Sequence, residues 1–131
     1  TQEINLFLIN KSFYLVDLPG YGFARASSAG RDKISELIHS YLFNSNYEQK
    51  KVVLIIDANI GPTDKDIAML HAFEDHKKNI VVVANKIDKI KKSEYIKQIK
   101  KVESLLGGRK VIPYSSKAKI GIKEVSKEIL K

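Results

Sequence analysis

Residues 79–88 read NIVVVANKID, an apolar run that passes directly into polar and charged side chains. The β-branched residues predict a buried strand over residues 79–84. In the loop that follows, the Asp88 carboxylate can accept hydrogen bonds from the N1–H and exocyclic amine of guanine, while the Lys86 stem packs along the base and Asn85 ties adjacent loops together. An NKxD pattern arises by chance in roughly a few per cent of chains of this length, so its place after a buried strand favours a guanine-binding loop.

Strands and helices alternate along the rest of the chain. Further strands are predicted over residues 4–9, 12–16, 51–57 and 110–114, and helices over residues 30–45, 63–77, 92–106 and 121–131. Strands that alternate with helices form a mostly parallel sheet with helices on both faces, so we predict a single α/β domain over residues 1–131. Asn10-Lys11 suits a tight turn because asparagine tolerates positive φ, so the first two strands should form an antiparallel hairpin at the edge of the sheet.

Apolar residues at helical spacing predict which helix faces are buried. Helices 30–45 and 92–106 each carry an apolar stripe, and we assign both stripes to the core. The stripes comprise Ile34, Leu37, Ile38, Tyr41 and Leu42 in the first helix, and Tyr95, Ile96, Ile99, Val102, Leu105 and Leu106 in the second. Thr63, with Asp66 three residues later, predicts a capped helix start, and Gly107-Gly108 predicts a helix end.

Two more loops that follow predicted strands carry residues suited to a nucleotide. After strand 12–16, the Asp17 carboxylate can hold a Mg²⁺-bound water, and Gly20 lets its backbone N–H approach a terminal phosphate. After strand 110–114 comes Ser115-Ser116-Lys117, where a backbone N–H can donate to the guanine O6. Ligands bind beyond the carboxyl ends of parallel strands. Three such loops in this order, each after its own strand, are the arrangement of Ras-like GTPases.

The chain resembles the EngB (YihA/YsxC) family of bacterial Ras-like GTP-binding proteins over essentially its whole length. The resemblance rests on DLPGYGFA over residues 17–24, on Thr1-Gln2 and Asn5 ahead of it, and on Gly121 after the serine loop. It implies a Ras-like P-loop GTPase fold that binds GTP or GDP with Mg²⁺. It also implies that Thr1 and Asp17 hold the metal, Asp17 through a bound water, and that Gly20 contacts the γ-phosphate. The implied guanine pocket comprises Asn85, Lys86, Asp88, Ser115, Ser116 and Lys117.

The resemblance further implies a GTP-controlled molecular switch in large ribosomal subunit assembly and cell division, including septation. Its partner would be a pre-ribosomal particle or its rRNA. Hydrolysis should be slow, because Tyr21 stands where Ras-like enzymes orient water with glutamine, and a phenol cannot both donate and accept in that geometry. We expect a cytoplasmic monomer that does not bind membranes.

The sequence departs from the family pattern in three places. Asn85 stands where family members usually carry threonine, and Asn59-Ile60 where they tend to carry Arg-His. No G-x-x-x-x-G-K-[ST] motif occurs, and that motif cradles the α/β-phosphates, so residues 1–131 alone should bind nucleotide poorly. In Ras-like sheets, the strand that leads into this motif lies at the centre of the sheet, between the strands equivalent to residues 12–16 and 51–57. We therefore expect an upstream segment of roughly 40 residues, or another strand, to fill that gap.

Charge is distributed unevenly along the chain. The net charge is +8, and residues 85–131 hold 14 Lys/Arg against 5 Asp/Glu. A one-sided basic surface favours an RNA or another anionic partner, with a solvated lysine-rich helix face as the alternative. The chain has no cysteine and no apolar run close to the ~20 residues of a membrane span, which favours a reducing cytoplasm. The three histidines are scattered, so we do not expect them to bind a metal.

Two interpretations from other protein classes stay open. A receiver-like phosphoacceptor domain would use Asp17, Asp57 and Lys117, which each follow a predicted strand. That interpretation leaves NKxD unexplained and lacks a Ser/Thr after the penultimate strand. A nucleotide-independent RNA-binding module would use the basic last third. Nucleotide binding by the full-length protein would distinguish this module from a GTPase.

Overall fold

The computed structural model describes residues 3–20 and 28–131, which fall into two compact units, Thr1–Glu48 and Gln49–Lys131. In the first unit, β1 (Asn5–Ile9) and β2 (Phe13–Asp17) pair antiparallel. Helix α1 (Ser28–His39) continues into a π-helical segment, Ser40–Asn44. These elements confirm the predicted hairpin and the helix after it.

The hairpin turn has the backbone conformation that the sequence predicts. Asn10 and Lys11 have φ angles of 50° and 57°, and the Ser12 N–H donates to the Ile9 carbonyl oxygen at 2.9 Å. Ile9 is paired with Phe13 in the ladder, so the two strands are connected by residues 10–12. This connection is one residue longer than the predicted Asn10-Lys11 turn.

The second unit is a parallel α/β sheet. Its elements are β3 (Val52–Asp57), α2 (Asp64–Asp75), β4 (Ile80–Asn85), α3 (Tyr95–Leu105), β5 (Ile112–Pro113) and α4 (Ile122–Leu130). The strand order is β3-β4-β5, and both ladders are parallel. Within the described residues β2 pairs only with β1 and β3 only with β4, so the expected extra strand stays a prediction.

Both predicted helix signals lie where the sequence puts them. Thr63 caps α2: its side chain accepts from the Asp66 N–H at 3.1 Å, and its own N–H donates to the Asp66 carboxylate at 2.9 Å. After α3, Gly107 and Gly108 have positive φ. Their N–H groups donate to the carbonyl oxygens of residues 104 and 103 at 3.1 and 2.8 Å. This is a Schellman-type helix end, which glycine favours because it has no Cβ.

The core of the second unit lies around β4, where four consecutive side chains, residues 81–84, are buried. Such a continuous run means that both faces of the strand are covered. On β3, burial alternates, and Ile55 is 62% exposed between two buried neighbours on the opposite face. Both faces of β4 are therefore covered, whereas only one face of β3 is.

The predicted apolar stripes are only partly buried. Three positions of the first stripe, Ile34, Ile38 and Leu42, are buried as predicted. In the second, assignment of Ile96 and Leu105 to the core is wrong, because they are 67% and 49% exposed. At about 100° of rotation per residue, Ile96 lies about 120° around α3 from the buried Val102, outside the face that meets the sheet.

Candidate functional site

The candidate site lies at the carboxyl ends of β3, β4 and β5, where backbone hydrogen bonds join three loops. Asp57 and Asn85 are register partners at the ends of β3 and β4. The Ala58 N–H donates to the Asn85 carbonyl oxygen at 2.7 Å, and the Ile87 N–H donates to the Tyr114 carbonyl oxygen at 3.2 Å. The NKxD loop is thus fixed to both neighbouring loops.

Ser115 links the loop after β5 to the NKxD loop. It is fully buried, and its hydroxyl donates to Asp88 Oδ1 at 2.7 Å while accepting from the Ala118 N–H at 2.9 Å. Two backbone hydrogen bonds of 3.0 Å to Ile120 close the serine loop. The exposed Asp88 carboxylate is therefore oriented by a fixed donor. An ionised carboxylate can accept about four hydrogen bonds, so it retains capacity for a ligand.

The charge state of Asp88 follows from this contact. The Ser115 hydrogen bond lowers the pKa of Asp88 below its ordinary value, and Lys117 and Lys89 add to the effect, whereas loss of surrounding water opposes it. Each of these favourable contacts stabilises the charged form. Asp88 is therefore ionised at neutral pH and can act only as an acceptor.

Asn85 and the serine loop are joined as the sequence predicts. Asn85 Oδ1 accepts from the Ser116 N–H at 3.3 Å. Ala118 uses its N–H on the Ser115 hydroxyl. Between them, the Lys117 N–H has no hydrogen-bond acceptor within the described chain. The serine loop thus leaves two amide donors, those of Lys117 and Lys119, without an acceptor in the described chain.

Lys86 has an unusual backbone and an acidic partner. Its φ and ψ are 69° and 31°, the left-handed region, which costs a side-chain-bearing residue about 1–2 kcal/mol. Its Nζ lies 3.4 Å from Asp57 Oδ2. From the sequence, Asp57 was expected to matter only in a receiver-like site. The sequence signal that pointed to it was its position at the end of β3, the strand next to the one that leads into the NKxD loop.

Gly121 is required where the serine loop enters α4. Its φ is 89°, and a Cβ built there would lie 2.4 Å from the Pro113 carbonyl oxygen, closer than real contacts allow. The sequence identified Gly121 only through the family resemblance. Its physical role is to let the loop that carries Ser115 pass close to β5.

The remaining predicted site residues lie in the first unit or outside the described residues. Asp17 is the last residue of β2 and is exposed, as is Gly20; both lie in the first unit. Thr1 and Tyr21 lie outside the described residues. Within the described chain, no three His, Cys, Asp or Glu side chains group together as a metal site. Nor does the described part contain a helix both long and apolar enough to cross a bilayer.

Comparison with known proteins identifies a group of relatives. Residues 1–129 match the family model described as Ferrous iron transport protein B. Curated relatives named "Probable GTP-binding protein EngB" include one from Lachnospira eligens, 44% identical over 95% of this chain, and one from Acholeplasma laidlawii, 39% identical over 98%. The chain spans 60% and 67% of those relatives' lengths, respectively.

Solved structures agree on the fold. A crystal structure of a probable GTP-binding protein engB superimposes with a TM-score of 0.84 at 19% identity, covering 99% of this chain and 82% of that one. The FeoB G-domain from Methanococcus jannaschii superimposes with a TM-score of 0.61 at 27% identity, covering 99% of this chain and 78% of that one. The fold is therefore that of a Ras-like G domain, as the order of the three loops predicts.

Proposed function

Since the chain belongs to the EngB family of GTP-binding proteins, we propose that it binds guanine nucleotides through the loops after β4 and β5 and acts as a GTP-controlled molecular switch. One observation carries the proposal. The ionised Asp88 carboxylate is oriented by the buried Ser115 hydroxyl, and the Lys117 amide of the same serine loop has no acceptor in the described chain. An acceptor and a donor are thus placed in adjoining loops at one edge of the sheet.

This pair matches guanine and not adenine. Guanine presents two donors, the N1–H and the exocyclic amine, and both can donate to Asp88. Its O6 can accept from the Lys117 N–H, and the Lys86 stem packs along the base. Adenine has no N1–H and carries an amine at the position of O6, so two donors would face each other at Lys117. A polar group left mispaired in this way costs about 1–3 kcal/mol.

The phosphate side of the proposal rests on the family resemblance. Thr1 offers an oxygen ligand of the kind that Mg²⁺ takes, and Asp17, which is exposed at the end of β2, would hold a water bound to the metal. The metal, when bound, would neutralise charge on the phosphates. Gly20 would offer its backbone N–H to the γ-phosphate. With Tyr21 in place of a water-orienting glutamine, we propose slow hydrolysis of GTP to GDP and phosphate.

A second proposal concerns the partner: the basic last third contacts RNA of a ribosomal particle. Six lysines at and after the NKxD loop are exposed, and none of them takes part in an ion pair recorded for the described residues. They are Lys89, Lys91, Lys92, Lys97, Lys100 and Lys101. Positions 97, 100 and 101 share one face of α3. Exposed charge of one sign favours a phosphate backbone.

The cellular role that fits these proposals is the one that the family resemblance implies. We propose that the protein works in the cytoplasm as a monomer, in assembly of the large ribosomal subunit and in cell division. The receiver-like interpretation is disfavoured, because the lysine that pairs with Asp57 is Lys86 of the NKxD loop and not Lys117, on which that interpretation relied.

Equilibrium titration of the protein at its full natural length with GDP and ADP tests the proposed function. GDP should bind at least about 100-fold more tightly, since sites that hydrogen-bond a base reject one with the wrong donors. Equal affinity for GDP and ADP would contradict the proposal. Absence of nucleotide binding together with salt-dependent RNA binding would support the RNA-binding module instead.

A further inference from the structure

The ion pair between Asp57 and Lys86 joins the loop after β3 to the proposed base pocket. We propose that Asp57 is a positioning residue, which holds the Lys86 side chain in the conformation that packs along guanine. The inference rests on the proposed function and extends it to a residue outside the NKxD and serine loops.

The two oxygens of the Asp57 carboxylate have separate partners. Oδ1 accepts from the backbone N–H groups of Asn59 and Ile60 at 2.9 and 3.1 Å, which forms an Asx-type turn. Oδ2 lies 3.4 Å from Lys86 Nζ. The first oxygen therefore fixes the carboxylate, and the second is left to the lysine.

The loop that carries Asp57 is itself braced from two sides. The Gln98 side-chain amide of α3 donates to the carbonyl oxygens of Ala58 and Asn59 at 2.9 and 3.1 Å. The Gly61 N–H donates to the Asp57 carbonyl oxygen at 2.8 Å, and the Ala58 N–H donates to Asn85. The carboxylate is only 24% exposed. It is thus a fixed anion rather than a mobile surface charge.

Lys86 needs such a partner because its side chain is long and 49% exposed. A lysine stem loses much rotamer freedom when it is ordered against a ligand. If Asp57 holds the stem before the nucleotide arrives, part of that loss has already occurred in the free protein. The expected consequence is tighter guanine-nucleotide binding without a direct contact between Asp57 and the base.

A double-mutant cycle in the full-length protein tests the proposal. Asp57→Asn keeps the oxygen that accepts from Asn59 and Ile60 and replaces the other oxygen with a donor that cannot pair with an ammonium. GDP affinity, measured by calorimetry, should weaken about two- to fivefold, the range of partly exposed ion pairs. In a Lys86→Ala background, the same substitution should have no further effect. The thermal midpoint of Asp57→Asn should fall by no more than about a few degrees, because the turn is kept and only the ion pair is lost.

Asp75→Asn is the matched control, since Asp75 is an exposed acid at the end of α2 and the substitution makes the same charge change. It should leave GDP affinity unaltered. An unchanged affinity of Asp57→Asn, or an equal loss with and without Lys86, would overturn the positioning role while leaving the proposed function standing. A parent protein that binds GDP no better than ADP would overturn both.

Discussion

Replacement of Asp88 by asparagine changes the base preference of the proposed pocket in a predictable direction. The substitution keeps one oxygen and replaces the other with an amide NH₂ group, so a donor then faces a donor of guanine. The Ser115 hydroxyl is buried and can still donate to the remaining oxygen. A mispaired polar group costs about 1–3 kcal/mol, more when a charge is involved, so GDP affinity should fall about tenfold to several hundredfold.

Xanthosine diphosphate provides the complementary measurement. Xanthine has a carbonyl where guanine has the amine, and the asparagine amide can donate to it, so the variant should bind this nucleotide better than the parent does. Parallel calorimetric titrations of the two full-length proteins with both diphosphates give the affinity ratio, with Asp75→Asn as the charge control. If Asp88 only supports the turn after β4, the variant should lose about 1 kcal/mol of stability and keep its base preference. An unaltered ratio of GDP to xanthosine diphosphate affinity would refute the assignment.

Three further predictions follow from single features of the structure. Gly121→Ala should lower the free energy of unfolding by about 2 kcal/mol or more, because it adds a clash with Pro113 to the left-handed backbone. Gly61 is the control, since its φ is also positive, at 95°, but no atom lies within 4 Å of an added Cβ. Gly61→Ala should therefore lower the free energy of unfolding less when both variants are measured by denaturant titration. Ser115→Ala removes the main cause of the lowered pKa of Asp88, so the pH below which GDP affinity falls should move upward. The sign follows from linkage, because the lowered pKa keeps Asp88 ionised as pH decreases and a higher pKa lets it protonate sooner; an identical pH profile would contradict the role of Ser115. Charge reversal at Lys97, Lys100 and Lys101 should flatten the salt dependence of binding to ribosomal particles between about 50 and 200 mM salt, whereas reversal at Lys33, Lys65 and Lys77 should leave it unchanged.

Much of the fold could be predicted from local patterns in the sequence. The buried run of β4, the Thr63 cap and the Gly107-Gly108 helix end each depend on residues close in the chain, and the structure contains all three. The exposure of Ile96 and Leu105 could not be predicted this way. Which side of an apolar helix meets the sheet depends on the angle at which the helix crosses its neighbours, and the spacing of apolar residues does not determine that angle.

The candidate site likewise has features that local sequence predicts and features that depend on tertiary contacts. The NKxD loop and the serine loop were predicted at the ends of neighbouring strands, with Asn85 joining adjacent loops, and the structure shows this link at the Ser116 amide and adds a second one through Ser115 and Asp88. The ion pair of Lys86 with Asp57 was missed, because the two residues lie 29 positions apart and meet only through the β3–β4 register. The need for glycine at position 121 also depends on a tertiary contact, its approach to Pro113.

The position of guanine in a crystal structure of the full-length protein with GDP is the sharpest check of the proposed base pocket. Guanine N1 and its exocyclic amine should lie within hydrogen-bond distance of the Asp88 carboxylate, about 2.7–3.2 Å, with O6 on the Lys117 amide. Guanine bound elsewhere, with Asp88 still held only by Ser115, would contradict it.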